Sequence, residues 1–447
     1  MKIVIAGAGS VGYHLAALLA KENQDITVID RDEEVLERVG NKLDLLTLHG
    51  SATSVEILKE AQVSKADLFI SVTHSEDTNL LTAILAKQKG AKKTIARVNN
   101  TEFLSKEQRE YFSNIGVDKI FSPQNLAARE IKRLLKRASL TDIFDFDNEQ
   151  ISVVGFTIYA DSKLVGKQIS EIENEGFQFK YRGVALLRNH TTLIPKGRTI
   201  LQKGDHLYLS ILSKHIDAAM LFLGMQSKAI KKIMIVGDTP VALLTAQLLQ
   251  NTYKVKVVMK SERKAKEFIK SLNKSLIIIG DPGNRDLLLE EGLNNMDAFI
   301  SLTPDSEINI LSNLLAKEAG VYKSIAMVNN EIYTHISQNI GVDTIINKKL
   351  IAANNIFRFV REGNVKAITT LHGVDAEVIA YEVLANSQTC KQSINQLDLP
   401  ASSIFAGVIR GKKSIIPDGN FCLKAGDQVI IFALPEAIKK IESLFSH

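Results

Sequence analysis

Cysteine is almost missing from this chain: Cys390 and Cys422 are the only two, both near the C-terminal end and neither with histidines at zinc spacing. That excludes a disulfide-built scaffold and gives no zinc or thiol redox motif, and it predicts a reducing compartment. Charge of one sign is also lacking. Fifty-five basic residues face fifty acidic ones for a formal charge of +5 over 447 residues, so composition carries no footprint for nucleic acid. No apolar run approaches the ~18 residues needed to span a bilayer. Stretches such as Leu276 to Gly280 and Val429 to Leu434 are strand-sized. The opening MKIVIAGAGSVGYHL turns into a glycine-rich segment where a secretory leader would carry a longer apolar run and a small-residue cleavage site, which predicts a cytosolic protein. With 45% hydrophobic residues, the chain has enough apolar material for several cores, roughly two to four domains.

What is present is an internal repeat. The segment DLFISVTHSEDTNLLTAILAKQKGAKKTIARVNN from Asp67 matches DAFISLTPDSEINILSNLLAKEAGVYKSIAMVNN from Asp297 without a gap, at an offset of 230 and with about half the positions identical. SNIGVDKI from Ser113 answers QNIGVDTI from Gln338, so the second copy is shorter by five residues in between. The loss falls in the polar Glu102 to Glu110 region, where a loop or helix end tolerates it. A different pattern follows each block: GVALLRNHTTLIPKGRTILQKGDHLYLSIL from Gly183 resembles GVIRGKKSIIPDGNFCLKAGDQVIIFAL from Gly407, an Ile-Pro-x-Gly turn leading to a Gly-Asp pair and an alternating strand. In the first block, KIVIAG, DITVID, LLTLHG, LFISVT and TIARVN alternate with amphipathic stretches at Gly12 to Lys21, Asp32 to Lys42 and Asn79 to Lys89. The predicted class is therefore α/β: two Rossmann-like parallel-sheet domains, each followed by a small α+β C-terminal lobe. The expected boundaries are residues 1–137, 138–228, 229–362 and 363–447, with the linker between halves at Gly224 to Lys232. Ser122 and Pro123 predict a helix start, and the basic residues that follow, Arg129, Lys132, Arg133, Lys136 and Arg137, read as a solvated face.

The candidate site lies in the first copy. Gly7-Ala8-Gly9-Ser10-Val11-Gly12 follows a strand and enters a helix, the context a dinucleotide fingerprint demands. Gly7 permits the tight turn, Gly9 lets backbone N–H groups approach a pyrophosphate, and Gly12 lets the helix pack on its strand, with the helix N-terminus facing the phosphates. Asp30, with Arg31 beside it, ends the second strand, where a carboxylate accepts ribose hydroxyls and disfavours a 2′-phosphate. Ser51 and Ala52 follow the third strand and Thr73 and His74 the fourth, small or polar residues suited to a ligand edge, His74 reading as loop-exposed rather than catalytic. Arg97 is a charge in an apolar strand, with a bound phosphate or Asp118 as partner. In the second copy the turn becomes Gly237-Asp238-Thr239-Pro240-Val241-Ala242, Met259 and Lys260 replace the acid, and Met327 replaces the arginine, which predicts a scaffold or transmitting copy.

The order of these features resembles the TrkA family, the peripheral subunits of bacterial Trk potassium uptake systems, which are built from RCK (KTN) domains. The features are GAGSVG at the start, Asp30, the GSAT turn at Gly50, VTHSEDTN from Val72 and the doubled alternation of block and lobe, and they run through essentially the whole chain. The resemblance implies nucleotide contacts at Gly7 to Val11, Asp30, Thr73, His74 and Arg97, with NAD(H), and ATP or ADP at the same site, as ligands. It also implies a ring of such domains beneath a potassium-translocating integral membrane subunit of the TrkH/KtrB kind. Four chains of doubled domains, a homotetramer, would build that ring at the cytoplasmic face of the membrane. Serine at 51, where many relatives carry an acid, implies a shifted ligand preference. On this reading the chain is a regulator without catalytic or metal-binding residues. Two other readings are an NAD-dependent oxidoreductase and the regulatory ring of a different cation transporter. The first would need an acid, base or metal beside the nicotinamide, and His190 and His206, read as exposed loop histidines, offer none.

Overall fold

A computed structural model describes residues 1–447 apart from 21–23, 137–139, 141, 147–149, 175–178, 190, 224–228, 330–340, 361–364, 371–375, 386 and 446–447. Arg137, His190 and most of the expected linker therefore lie outside the described residues. The first block folds as β1 (Lys2–Ala6), α1 (Ser10–Ala20), β2 (Asp25–Asp30), α2 (Glu33–Gly40), β3 (Leu46–His49), α3 (Val55–Glu60), β4 (Leu68–Ser71), α4 (Glu76–Gln88), β5 (Lys93–Arg97), α5 (Lys106–Asn114), β6 (Lys119–Phe121) and α6 (Pro123–Lys136). Its sheet has the order β3-β2-β1-β4-β5-β6. Its strand pairs are parallel throughout. Ile3, Val4, Ile5 and Ala6 are all fully buried, as expected of a central strand covered on both faces. Order reverses between β1 and β4, and it is there, beyond the carboxyl ends of the strands, that such sheets leave a crevice. Asn125 N–H donates to Ser122 Oγ at 3.4 Å, which bears out the expected start of α6.

The first lobe comprises β7 (Asp142–Phe146), β8 (Ile151–Thr157), α7 (Ile169–Asn174), β9 (Tyr181–Arg188), β10 (Thr191–Leu193), β11 (His206–Leu212) and α8 (Ile216–Phe222). The second block repeats the first as β12 (Lys232–Val236), α9 (Pro240–Leu249), β13 (Lys254–Met259), α10 (Glu262–Ser271), β14 (Leu276–Ile279), α11 (Arg285–Glu290), β15 (Ala298–Ser301), α12 (Ser306–Glu318), β16 (Lys323–Met327), β17 (Thr344–Ile346) and α13 (Lys348–Val360). The second lobe is β18 (Val365–Thr370), β19 (Glu377–Glu382), β20 (Ser403–Arg410), β21 (Lys413–Ile415), β22 (Gln428–Ala433) and α14 (Pro435–Phe445). The sheet β14-β13-β12-β15-β16-β17 has the same order as the first, and the lobes match as β10-β9-β11-β8-β7 and β21-β20-β22-β19-β18. The lobe strands pair antiparallel. His206 is not the exposed loop histidine expected from its turn-rich surroundings. It opens β11, is buried, and its Nδ1 lies 3.0 Å from Thr157 Oγ1, because the strand begins directly after the Gly204-Asp205 turn.

Two compact units result. One holds residues 1–130 with 243–245 and 347–360, so that α13, which follows the second sheet in sequence, belongs with the first. Its buried Ala352, Ala353 and Ile356 recur at helical spacing, and two alanines let it approach closely the α1 helix against which it packs. The other unit contains both lobes, which share one core: Ile151, Val153, Ala185 and Tyr208 of the first pack with Val378, Ala406, Ile430 and Phe432 of the second. Ser210 Oγ donates to Ala406 O at 2.6 Å, and Arg182 Nη2 donates to Pro417 O at 2.6 Å.

Candidate functional site

The turn after β1 is built on glycine for steric reasons. Gly7 has φ +109°, and a Cβ there would lie 2.8 Å from Thr73 N; one at Gly12 would lie 1.8 Å from Gly7 O. Neither position admits a side chain. Gly9 differs: a Cβ would meet only His74 Cε1, at 3.7 Å, so this glycine keeps open space over the turn. Beyond the turn lies a cleft of about 250 Å³. Of the candidate residues, Gly7, Gly9, Asp30, Arg31, Ser51, Ala52, Thr73 and His74 line it. Ala8, Val11 and Gly12 are buried behind it, and Ser10 is exposed at the first position of α1. His74 is exposed at the lip.

Asp30 organises one end. Its Oδ2 accepts the Ala8 N–H at 2.5 Å and its Oδ1 the Asp32 N–H at 3.1 Å, so the carboxylate also holds the glycine turn against β2. Arg31 Nη2 donates to Ser51 Oγ at 2.7 Å, tying the ends of β2 and β3. At the other end stands Asn79, the last residue of the VTHSEDTN stretch, to which the sequence assigned no role in the site. Nearly fully buried, it accepts the Thr73 N–H at 2.8 Å and Thr73 Oγ1 at 2.7 Å, while its Nδ2 donates to Thr73 O at 3.1 Å and Arg97 O at 2.9 Å. One amide thus fixes the ends of β4 and β5 and shapes the lip. Asn309 does the same in the second copy, bonding Thr303 N at 2.9 Å and Met327 O at 2.8 Å. The repeat does carry a signal for it: Asn79 and Asn309 are identical across the two copies, whereas most of the ligand-facing residues are not. Asn79→Ala strands the Thr73 amide, and we expect a loss of about 2–3 kcal/mol in chemical denaturation, with weaker nucleotide binding. Asn309→Ala should cost similar stability and leave nucleotide affinity unchanged.

Arg97 does not pair with Asp118. That acid is taken by Lys87 Nζ at 2.8 Å and by the Thr94 N–H at 2.7 Å. The Arg97 Nε is buried without a hydrogen-bond partner, and burial pushes the guanidinium pKa down from its ordinary value. Arg97 is not among the residues lining the cleft itself; it is rooted beside it, one strand from Thr73.

The second copy carries ion pairs at the equivalent positions. Asp238 pairs with Lys264 at 3.0 Å and Lys260 with Asp281 at 3.6 Å. At the repeat offset Asp238, Lys264, Lys260 and Asp281 answer Ala8, Glu34, Asp30 and Ser51, so basic residues stand where the first copy is acidic. Thr239 Oγ1 donates to Leu302 O at 2.7 Å and accepts the Ala242 N–H at 3.3 Å, filling the cap that Gly9 leaves open. Gly237 keeps its positive φ of +129°, and a Cβ there would lie 2.6 Å from Leu302 C. The turn survives, but Thr239 puts a side chain where the first copy has none.

Fold and site together define a tandem Rossmann protein with a cleft beyond the glycine turn of its first copy. The TrkA-N domain model matches residues 3–123 and 233–348, and the TrkA-C domain model residues 153–224 and 378–446. The Trk system potassium uptake protein TrkA of Haemophilus influenzae is 32% identical over 100% of this chain and 98% of its own length. The chain belongs to the TrkA family, with both of the family's domains present twice. A GsuK channel bound to NAD has the same fold at 15% identity and a TM-score of 0.62, covering 100% of this chain and 79% of that one. GsuK bound to ADP follows at 14% identity and a TM-score of 0.52, covering 81% and 69%.

Proposed function

We propose that this chain is the nucleotide-responsive regulatory subunit of a potassium uptake system. The observation that carries the reading is the asymmetry between copies: the first keeps an open cleft with bare backbone at Gly9, a carboxylate at Asp30 and an Arg97 whose Nε has no partner, while the second has Thr239 in place of that glycine and the ion pairs Asp238–Lys264 and Lys260–Asp281. The ligand contacts are Gly7 to Gly12, Asp30, Arg31, Ser51, Ala52, Thr73, His74 and Arg97. The relatives' names supply the class of system and of ligand, NAD or ADP. Among the described residues no helix is long and apolar enough to cross a membrane, and no cluster of three metal-ligating side chains occurs. Translocation then belongs to an integral membrane partner, with this chain peripheral to it on the cytoplasmic face as a homotetramer. Nucleotide bridges elements whose spacing differs between two conformations of the assembly and shifts their populations by its differential affinity, typically about 1–3 kcal/mol.

The test is titration of the purified chain with NADH, ADP and ATP, followed by co-purification with a potassium-translocating membrane subunit with and without nucleotide. Saturable binding, weakened about tenfold or more by Asp30→Ala, and nucleotide-dependent association support the reading. Absence of binding, or association with a membrane protein that does not carry potassium, sinks it. An oxidoreductase would consume the bound NADH in a substrate-dependent way; a sensor leaves its absorbance unchanged.

A further inference from the structure

The two copies carry opposite charge on the same surface. From Lys260, just after β13, through α10 to Lys274, just before β14, six basic residues stand against two acidic ones, a net charge of +4. At the repeat offset the first copy runs from Asp30 through α2 to Asp44, with six acidic residues against three basic ones, a net charge of −3. Two of the bases are used within the second copy, Lys264 on Asp238 and Lys260 on Asp281. Arg263, Lys266, Lys270 and Lys274 are exposed, as are Glu33, Glu34 and Glu37 on α2. Among the described residues none of these seven side chains has an ion-pair partner.

Each of these helices flanks a sheet edge. α2 contacts β3 and α10 contacts β14, and β3 and β14 are terminal strands of their sheets. An edge strand leaves a row of backbone N–H and C=O groups unpaired, which proteins blunt with charge on the strand or cover with another element. The strand β14, Leu-Ile-Ile-Ile, carries no charge, and its Leu276 and Ile279 are each more than half exposed, as is Ile269 on α10. Leu46, which opens β3, is more than half exposed as well. Both edges thus join exposed apolar side chains to unpaired charge, and the charge has opposite signs. Such a surface repels its own like: α10 faces bases when set against α10, and α2 faces acids when set against α2. It attracts its repeat. An anionic lipid or a nucleic acid would answer α10 alone and leave the acidic α2 without a counterpart, whereas a second copy of the chain answers both.

We propose that the basic edge of one chain, α10 with β14, docks on the acidic edge, α2 with β3, of a second copy of the chain. Ile269, Leu276 and Ile279 then meet the apolar edge at Leu46, and Arg263, Lys266 and Lys270 face Glu33, Glu34 and Glu37 around it, an apolar centre with a charged rim. The contact joins unlike surfaces head to tail, so its repetition closes a ring when the rotation between chains allows it. The inference rests on the homo-oligomer proposed above and names the surface that builds it. The acidic half also begins directly beyond Asp30 and Arg31 of the nucleotide cleft, so a neighbour seated on α2 abuts the place where a ligand would bind.

The experiment is sedimentation velocity of the full chain over a range of concentrations, at low and at high salt. The samples are the unsubstituted protein, Lys266→Glu with Lys270→Glu, Glu33→Lys with Glu37→Lys, an equimolar mixture of these two variants, and one chain carrying all four substitutions. The unsubstituted chain should associate, less so at high salt because exposed charges are screened. Each double reversal should weaken association about tenfold or more by setting like charges against each other. The mixture should recover it, since alternating the two variants around a head-to-tail assembly makes every contact complementary again, and so should the fourfold variant. All four side chains are exposed, so the thermal midpoints should stay within a few degrees of one another. Association unchanged by either reversal, or lost without recovery in the mixture and the fourfold variant, overturns the assignment of this surface and leaves the oligomer standing. If Lys266→Glu with Lys270→Glu instead loses binding to phosphatidylserine vesicles while the oligomer is unchanged, the basic edge serves a membrane and the proposal is wrong. A chain that stays monomeric at every concentration removes this contact and the proposed tetramer together, and nucleotide titration still decides the cleft separately.

Discussion

Gly9→Asp is expected to weaken nucleotide binding by about 100-fold or more in Kd and to leave the thermal midpoint of the nucleotide-free protein within a few degrees of its starting value. The separation of binding from folding is what makes this substitution informative. A Cβ at Gly9 meets nothing closer than His74 Cε1 at 3.7 Å, an ordinary contact, and Gly9 has no positive φ to lose. At Gly12 the same atom would lie 1.8 Å from Gly7 O, and the turn itself would break. The carboxylate introduced by Gly9→Asp would project over the α1 N-terminus, where it is favourable to the helix and repulsive to a pyrophosphate. About 100-fold corresponds to ~2.7 kcal/mol, within reach of one like charge facing a phosphate in a partly dry cleft. The second copy carries an acid one position earlier in its turn, at the equivalent of Ala8, and there Asp238 is answered by Lys264. The first copy has Glu34 at the equivalent of Lys264, so the new charge would find no cation there. Calorimetry with NADH and ADP, alongside a thermal melt, checks both halves of the expectation. Binding retained within a few-fold would place the ligand somewhere other than this turn.

How much of this picture is legible in the sequence depends on the range of each interaction. The doubled sheets, their order and the steric need for Gly7 and Gly12 are legible, because strand periodicity and a glycine turn are local signals. The role of Asn79 is not: it closes the VTHSEDTN stretch and is identical with Asn309, but nothing near it in sequence reveals that its amide reaches Thr73 and Arg97. His206 reads as a loop residue because its turn-rich neighbourhood masks the strand that starts on it. Arg97 stands out as a charge in need of a partner, but that Asp118, the acid available to it by sequence, is already held by Lys87 and Thr94 appears only in the fold. No periodicity within α13 tells which of two similar sheets it will accompany. The unlike charges of the second crevice are visible as substitutions, while their pairing as Asp238 with Lys264 and Lys260 with Asp281 needs the fold.

The same limit applies to the lobes, where the Gly-Asp pair before each alternating strand supplies the buried carboxylate of a duplicated ion pair whose arginine is partly exposed. Arg188 Nε and Nη2 bond Asp205 Oδ1 and Oδ2 at 2.7 and 2.6 Å, and Arg410 grips Asp427 in the same two-pronged way at 2.8 and 2.7 Å. Both carboxylates are only 1% exposed, and each takes a further backbone N–H, from Gln202 and Lys424, at 2.8 Å. The second guanidinium nitrogen also reaches a backbone carbonyl, Ile200 O at 2.7 Å and Cys422 O at 2.9 Å. The pair therefore stitches β9 to the turn before β11, and β20 to the turn before β22. Arg188→Ala leaves the Asp205 carboxylate buried with its counter-charge gone, a class of change that costs about 3–5 kcal/mol. Because both lobes share one core, the loss should lower the denaturation midpoint of the whole lobe pair. Arg188→Lys should recover only part of it, since an ammonium replaces two aligned N–H bonds with a single point charge. The double substitution Arg188→Met with Asp205→Leu should lie far closer to the parent than Arg188→Ala does, because removing both charges removes the stranded one. Urea titration of the three variants and the parent decides the matter. If Arg188→Ala costs under about 1 kcal/mol, the pair behaves as a surface ion pair, and the shared apolar core alone holds the lobes.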